Sequence, residues 1–185
     1  MTGNVISGCV IALARHPVKG FTPEPLVEVQ LRAGAHFPGD RLYAVEDGPS
    51  GFDPAAPQHI QKMAFTVLAR LPEVAAVRTK WHEDEGTLTA WHPDFGEITA
   101  DLEGEAGRNM FATWLSGILA GKIRGPLKVL AAPDAHRFMD SPKGFVSIIN
   151  LESLRDLEAN IGRRVDPARF RGNILVEGWP AWSEL

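Results

Sequence analysis

Two arginines flank a phenylalanine in the run 166–176 (Asp-Pro-Ala-Arg-Phe-Arg-Gly-Asn-Ile-Leu-Val), and an asparagine then opens an apolar stretch. Arg169, Arg171 and Asn173 can therefore present guanidinium and amide donors at the entrance of a strand. The fitting guest is an anion, a phosphate or a carboxylate, because arginine offers a planar fork of donors that a point-charge lysine cannot match. The competing reading is a helix end with solvated arginines. Two further segments carry cations: His16-Pro17-Val18-Lys19-Gly20, and 39–45 (Gly-Asp-Arg-Leu-Tyr-Ala-Val) with Arg41. Lys19, Arg41 and Arg171 all adjoin expected strand ends, where side chains distant in sequence can converge. Local pairing is the alternative: Arg41 with Asp40 or Asp47, and Arg169 with Asp166.

The formal net charge of -4 argues against a general nucleic-acid binder, which needs an excess of phosphate-neutralising Lys and Arg. Any anion site must be a local concentration of positive charge. A length of 185 residues with 44% apolar and 23% charged side chains suits one domain, or two small packed ones, with a real core. The single cysteine, Cys9, leaves no internal disulfide and no Cys-based zinc cluster. It is expected in a strand as a small buried hydrophobe, and it fits a reducing cytoplasm. Residues 6–9 (Ile-Ser-Gly-Cys) look superficially like a lipoprotein cleavage site, but too few residues precede them to form a signal segment. No apolar run is long enough to span a bilayer. The expected location is the cytoplasm, with no nucleic acid and no membrane among the partners.

The elements that must position these cations follow from periodicity. Strands are expected at 5–13, at 26–31 where apolar and polar residues alternate, and at 42–45 after a Pro-Gly-Asp turn. Residues 49–57, rich in Pro, Gly and Ala, read as a loop. The spacing of Ile60, Met63, Ala64, Val67, Leu68 and Leu71 predicts a helix ending at Pro72. A hairpin is expected from 74–81 and 87–91 around the acidic turn 83–86. Met110, Phe111, Trp114, Leu115, Ile118 and Leu119 form a helical stripe with one buried face. Strands follow at 127–132 and 145–149, then a helix at 150–160 with Asn150 or Ser153 as N-cap and Gly162 just past its end. A last strand covers 173–176. Many short strands with few helices suggest a β-barrel core with helical decoration.

Other motifs carry less. His82 and His92 each follow a tryptophan at hairpin positions, and their spacing suits a solvated hairpin better than a zinc site. Residues 117–122 (Gly-Ile-Leu-Ala-Gly-Lys) are one residue short of a phosphate-cradling loop and fall within the expected helix.

Taken in order, the segments around Lys19, Arg41 and Arg171 resemble the MOSC family. That family is named for the C-terminal domain of molybdenum cofactor sulfurases, and the likeness is to the version with an N-terminal MOSC-associated β-barrel region. The mitochondrial amidoxime-reducing components belong to that group. The resemblance implies a β-rich α+β fold: an N-terminal β-barrel-like region at 1–122, packed on an incomplete MOSC β-barrel with helices at 123–185. It implies molybdenum–molybdopterin as the cofactor. Lys19 and Arg41 match residues directed at that cofactor, the lysine at its phosphate. Arg171 and Asn173 match the pair on the pterin side. Gly20 stands where many members have serine, Gly172 replaces the usual proline, and Asn150 falls near a serine- or threonine-rich binding turn.

In relatives a cysteine near the end of the MOSC domain ligates the metal. This sequence stops at Leu185, before that segment, so the resemblance assigns no metal ligand and no catalytic residue. Cys9 does not match the ligand position. The implied function is molybdenum cofactor binding, as an oxidoreductase of the amidoxime-reducing type or part of one, fed by a separate electron-donor redox protein. The alternative is a non-catalytic binding module for a phosphorylated pterin or a sulfur-carrier partner. A third outcome is a surviving scaffold, whose cations would point apart or pair with local acids. The family's association with pyridoxal phosphate finds no Schiff-base lysine environment here. A barrel short of its closing strands exposes an edge, which leaves pairing into a homodimer open.

Overall fold

The computed structural model describes residues 7–142 and 144–185. Its strands in chain order are β1 (Cys9–Arg15), β2 (Glu24–Leu26), β3 (Tyr43–Glu46), β4 (Arg78–His82), β5 (Thr87–His92), β6 (Gly96–Asp101), β7 (Lys128–Ala131), β8 (Ile148–Asn150) and β9 (Ile174–Glu177). Two α-helices, α1 (Glu105–Ile118) and α2 (Leu151–Ile161), and three short 3-10 segments complete the set. The fold is α+β and strand-rich, as expected, and no barrel closes among the described residues. Two compact units share the chain. One comprises His16–Glu24 and Gly39–Gly144; the other comprises 7–15, Pro25–Pro38 and Phe145–Leu185.

In the first unit β4, β5 and β6 form an antiparallel meander. Its pleat turns Trp81, Leu88, Ala90 and Ala100 inward, while Trp91 stays on the open face. Helix α1 supplies the opposing layer through Phe111, Ala112 and Leu115, with Leu119 just beyond its end; of the expected stripe Phe111, Leu115 and Leu119 are buried, while Met110 is exposed. Each such fully buried large side chain contributes about 1.5–3 kcal/mol. The helix starts hard against the end of β6. A Cβ at Gly107 would lie 1.8 Å from the Asp101 carbonyl oxygen, so only glycine permits this approach. Strand β3, paired antiparallel with β7, is buried on both faces. Tyr43 and Val45 face the α1 core, and Ala44 joins a second cluster with Phe65, Val67, Leu130 and Phe138.

The second unit holds a four-stranded sheet in the order β2-β1-β9-β8. Strands β1 and β9 pair antiparallel with a bulge between Val10 and Ala12. Strands β8 and β9 are parallel, so the chain needs a crossover, and α2 provides it. Asn150 caps α2 by accepting from the Glu152 amide at 3.1 Å. Gly162 ends it in the left-handed region, as the sequence indicated.

Several expectations need correction. The expected helix at 60–71 reduces to a 3-10 turn, Lys62–Ala64. Its apolar spacing fits a helix, yet Phe65-Thr66-Val67 runs extended, with the Thr66 amide donating to the Val45 carbonyl at 2.8 Å. An aromatic followed by two β-branched residues was the overlooked local signal. The alternating run 26–31 is strand only as far as Leu26, and Val27 is fully exposed. Alternation without a hydrogen-bonding partner does not make a strand. The hairpin forms around 83–86, but its first strand starts at Arg78, because Pro72–Ala76 coils as a 3-10 segment. Strand β6 went unanticipated. Val5 and Ile6 of the first expected strand lie outside the described residues, and the strand itself continues to Arg15. Cys9 is exposed rather than buried, as are Val10 and Ile11, because both faces of the first half of β1 are open to solvent.

Candidate functional site

The first two cation-bearing segments are laced together inside one unit. The Arg41 amide donates to the His16 carbonyl at 2.7 Å, the Tyr43 amide to the Pro17 carbonyl at 3.1 Å, and the Lys19 amide to the Tyr43 carbonyl at 2.8 Å. Pro17 has no N–H of its own, so it can sit in this ladder only as an acceptor. The Asp40 carboxylate accepts the His16 amide at 2.6 Å, closing the far end. Lys19 and Arg41 are thereby held in register, with 2% and 5% of their surfaces exposed.

Both cations converge on the segment 138–140. Lys19 Nζ donates to the Phe138 carbonyl at 2.9 Å and to Asp140 Oδ1 at 2.5 Å. The Phe138 amide in turn donates to the Arg41 carbonyl at 3.1 Å. The Arg41 guanidinium pairs with the neighbouring Asp40 carboxylate, which is one of the local pairings open from sequence. Burial pushes the Asp140 carboxyl up, but the Lys19 hydrogen bond and the charges of Lys19, Arg41 and Lys62 outweigh it and hold the group below the usual carboxylate range. The other candidate partner of Arg41, Asp47, is occupied elsewhere. Fully buried, it accepts from Arg70 through both oxygens at 2.8 Å, and from Arg124 at 2.6 Å.

Gly20 follows Lys19 with φ +89°, and a Cβ there would lie 2.8 Å from the Thr66 carbonyl oxygen and from Val67 Cα. The position therefore has no room for the serine of relatives. Arg41 and Arg171 also adopt left-handed backbone, φ 49° and 54°, which is uncommon for non-glycine residues and costs about 1–3 kcal/mol each.

The remaining expected site residues belong to the other unit. Arg171 ends the 3-10 segment Pro167–Phe170, and a Cβ on the following Gly172 would meet Ile149 Cγ1 at 2.4 Å. A side chain at 172 would need the Ile149 side chain to give way. Asn173 is fully buried; its Oδ1 accepts the Ser147 amide at 3.0 Å and its Nδ2 donates to the Ala14 carbonyl at 3.2 Å. Besides capping α2, Asn150 donates from Nδ2 to the Pro180 carbonyl at 2.9 Å and to Glu184 at 3.1 Å. Asp166 accepts the Ala168 amide rather than the Arg169 side chain.

The comparisons with known proteins follow this division of motifs. Residues 7–122 match the MOSC N-terminal beta barrel domain, and residues 135–185 match the MOSC domain. The chain belongs to the MOSC family. No curated protein matches it. MOSC domains are associated with molybdenum cofactor binding.

In this MOSC protein the donor set near Phe138 has the chemistry to meet the phosphate end of such a cofactor: a buried ammonium bonded to the Phe138 carbonyl, and a buried guanidinium on the residue whose backbone carbonyl accepts the Phe138 amide. For the metal itself, no group of three or more His, Cys, Asp or Glu able to hold an ion occurs among the described residues. No described helix is long and apolar enough to cross a membrane. Sequence reading missed Asp140 and the Phe138 carbonyl, which lie 121 and 119 residues from Lys19. No local pattern could have paired them. His82 bonds Thr89 across the hairpin at 3.0 Å, and His92 accepts the Asp94 amide at 3.1 Å.

Proposed function

We propose that this MOSC protein binds the molybdenum cofactor through its molybdopterin phosphate and serves as an oxidoreductase of the amidoxime-reducing type, or as part of one. The observation that carries the reading is the convergence of buried Lys19 and buried Arg41 on the 138–140 segment. Two buried cations are costly unless anions answer them; Asp140 and Asp40 do so here, and an incoming phosphate would take the place of the exposed Asp140 at Lys19. A phosphate monoester brings roughly two negative charges near neutral pH. Lys19 and Arg41 would hold that phosphate. When bound, the cofactor supplies two-electron oxygen-atom transfer, drawing electrons from a separate redox protein. The chain's own part is binding and orientation, and a reducing cytoplasm is the setting we assign.

A second reading rests on its own observation: Asp140 and Asp40 already pair with the two cations. On that view only the scaffold survives, its cations paired with nearby acids. Titration of the recombinant protein with molybdopterin separates the two. Binding that weakens in both Lys19→Ala and Arg41→Ala supports the first reading. No binding, or binding indifferent to both substitutions, defeats it. Molybdenum content of the native gene product, measured by mass spectrometry, tests the oxidoreductase part separately.

A further inference from the structure

Arg137 is a cation without a carboxylate partner among the described residues. Its Nη1 donates to the carbonyls of Asp134 at 3.1 Å and His136 at 2.5 Å. Its Nε is shut off from solvent with no hydrogen-bond acceptor. Burial lowers the guanidinium's pKa, and the charges of Asp134 and Asp40 offset this only in part. Carbonyl dipoles orient such a group but do not neutralise it, and a desolvated unpaired charge is among the costlier features a fold can keep.

The position of Arg137 is informative. It directly precedes Phe138, whose carbonyl accepts from Lys19 and whose amide donates to Arg41. Charge balance points the same way. Lys19 and Arg41 are cancelled by Asp140 and Asp40. Lys62, close enough to act on Asp140 electrostatically, forms no ion pair among the described residues. With Asp134 also acting on Arg137, the four cations Lys19, Arg41, Arg137 and Lys62 face three carboxylates, and the surplus is positive, which favours a phosphate.

We propose that Arg137 is a third anion-binding residue of the Lys19–Arg41 site, offering its guanidinium fork to the phosphate of a phosphomonoester ligand. This rests on the reading that Lys19 and Arg41 form a phosphate site. The rival role is structural: Arg137 only caps the carbonyls of residues 134 and 136.

Calorimetric titration with inorganic phosphate, with a thermal melt of each variant, distinguishes them. Arg137→Gln keeps an amide able to cap carbonyls but removes the charge. The expected result is phosphate affinity reduced about tenfold or more, with an unchanged melting temperature. Arg137→Lys should recover part of the affinity, and it decides the matter if the glutamine variant does not fold. Phosphate binding unaltered in Arg137→Gln, or in a folded Arg137→Lys no better than in Arg137→Gln, overturns the proposal. If Lys19→Met alone abolishes binding, the parent site stands and Arg137 is only a cap. Absence of phosphate binding by the wild-type protein ends both.

Discussion

Lys19 and Asp140 form a lopsided pair: Nζ and Oδ1 are 2.5 Å apart, yet the lysine side chain is 3% exposed and the aspartate 55%. An anion arriving from solvent therefore meets the carboxylate before the ammonium. Asp140 both neutralises the buried lysine and competes with any ligand for it.

Asp140→Asn should strengthen inorganic phosphate binding. Removing one charge at contact distance in a solvated position is worth about 1 kcal/mol, roughly fivefold in affinity. Calorimetry reads the affinity, and weaker binding in this variant would contradict the competing role. The pH dependence has a definite sign. Because the folded carboxyl sits below its ordinary range, the pair is intact above that range and is lost as pH falls beneath it.

Asp47 should dominate acid stability. Burial raises its carboxyl, but the hydrogen bonds from Arg124 and Arg70 prevail and bring it down to about 2. Its stabilisation is present above the ordinary aspartate value and disappears as pH drops from about 4 to about 2, a loss of about 2 kcal/mol. Asp47→Asn should cost about 3 kcal/mol in urea denaturation at neutral pH, because the fully buried position loses the charge that partly buried Arg70 grips through both oxygens. A flat acid profile in this variant, against a sloping one in wild type, would mark Asp47 as the titrating group.

Gly20→Ser would restore the residue found in many relatives, and it should nonetheless harm this chain. At φ +89°, with the Thr66 and Val67 backbone 2.8 Å from any Cβ, the substitution combines strain and overlap. Destabilisation of about 2–4 kcal/mol is expected from thermal or urea unfolding. A serine variant as stable as wild type would show that the 65–67 segment yields easily.

Tyr43 is the only tyrosine in the chain, so tyrosinate absorbance reports it alone. Burial, then the charges of Glu103 and Asp101 against that of Arg108, pushes its phenol up to about 12. The group's raised value stabilises the fold below the ordinary phenol range, and that stability fades as pH climbs from about 10 to about 12. An alkaline titration centred near the free-tyrosine value, with the protein still folded, would place Tyr43 outside the core.

Where a feature depends on neighbours along the chain, it was legible. The Phe111–Leu115–Leu119 stripe, the Asn150 cap and the Gly162 stop each act within a few residues, and α1 and α2 lie where these signals put them. The order of the Lys19, Arg41 and Arg171 segments likewise carried the family, since three motifs in sequence need no coordinates to be recognised. Short apolar runs were less informative. Residues 60–71 satisfy helical spacing, but Phe65 and Val67 are needed in the cluster with Ala44 and Phe138, and that demand lies outside the segment.

Composition, segment order and local caps thus determined the family, the strand-rich class and the two helices, because each rests on short-range chemistry. Only the tertiary structure decided that Lys19 faces Asp140, that Arg41 turns to Asp40 while Asp47 takes Arg70 and Arg124, and that Gly20 admits no side chain. The physical reason is contact range. Charges and carbonyls more than a hundred residues apart have no shared pattern until the backbone ladder along 16–19, 41–43 and 138 sets them face to face.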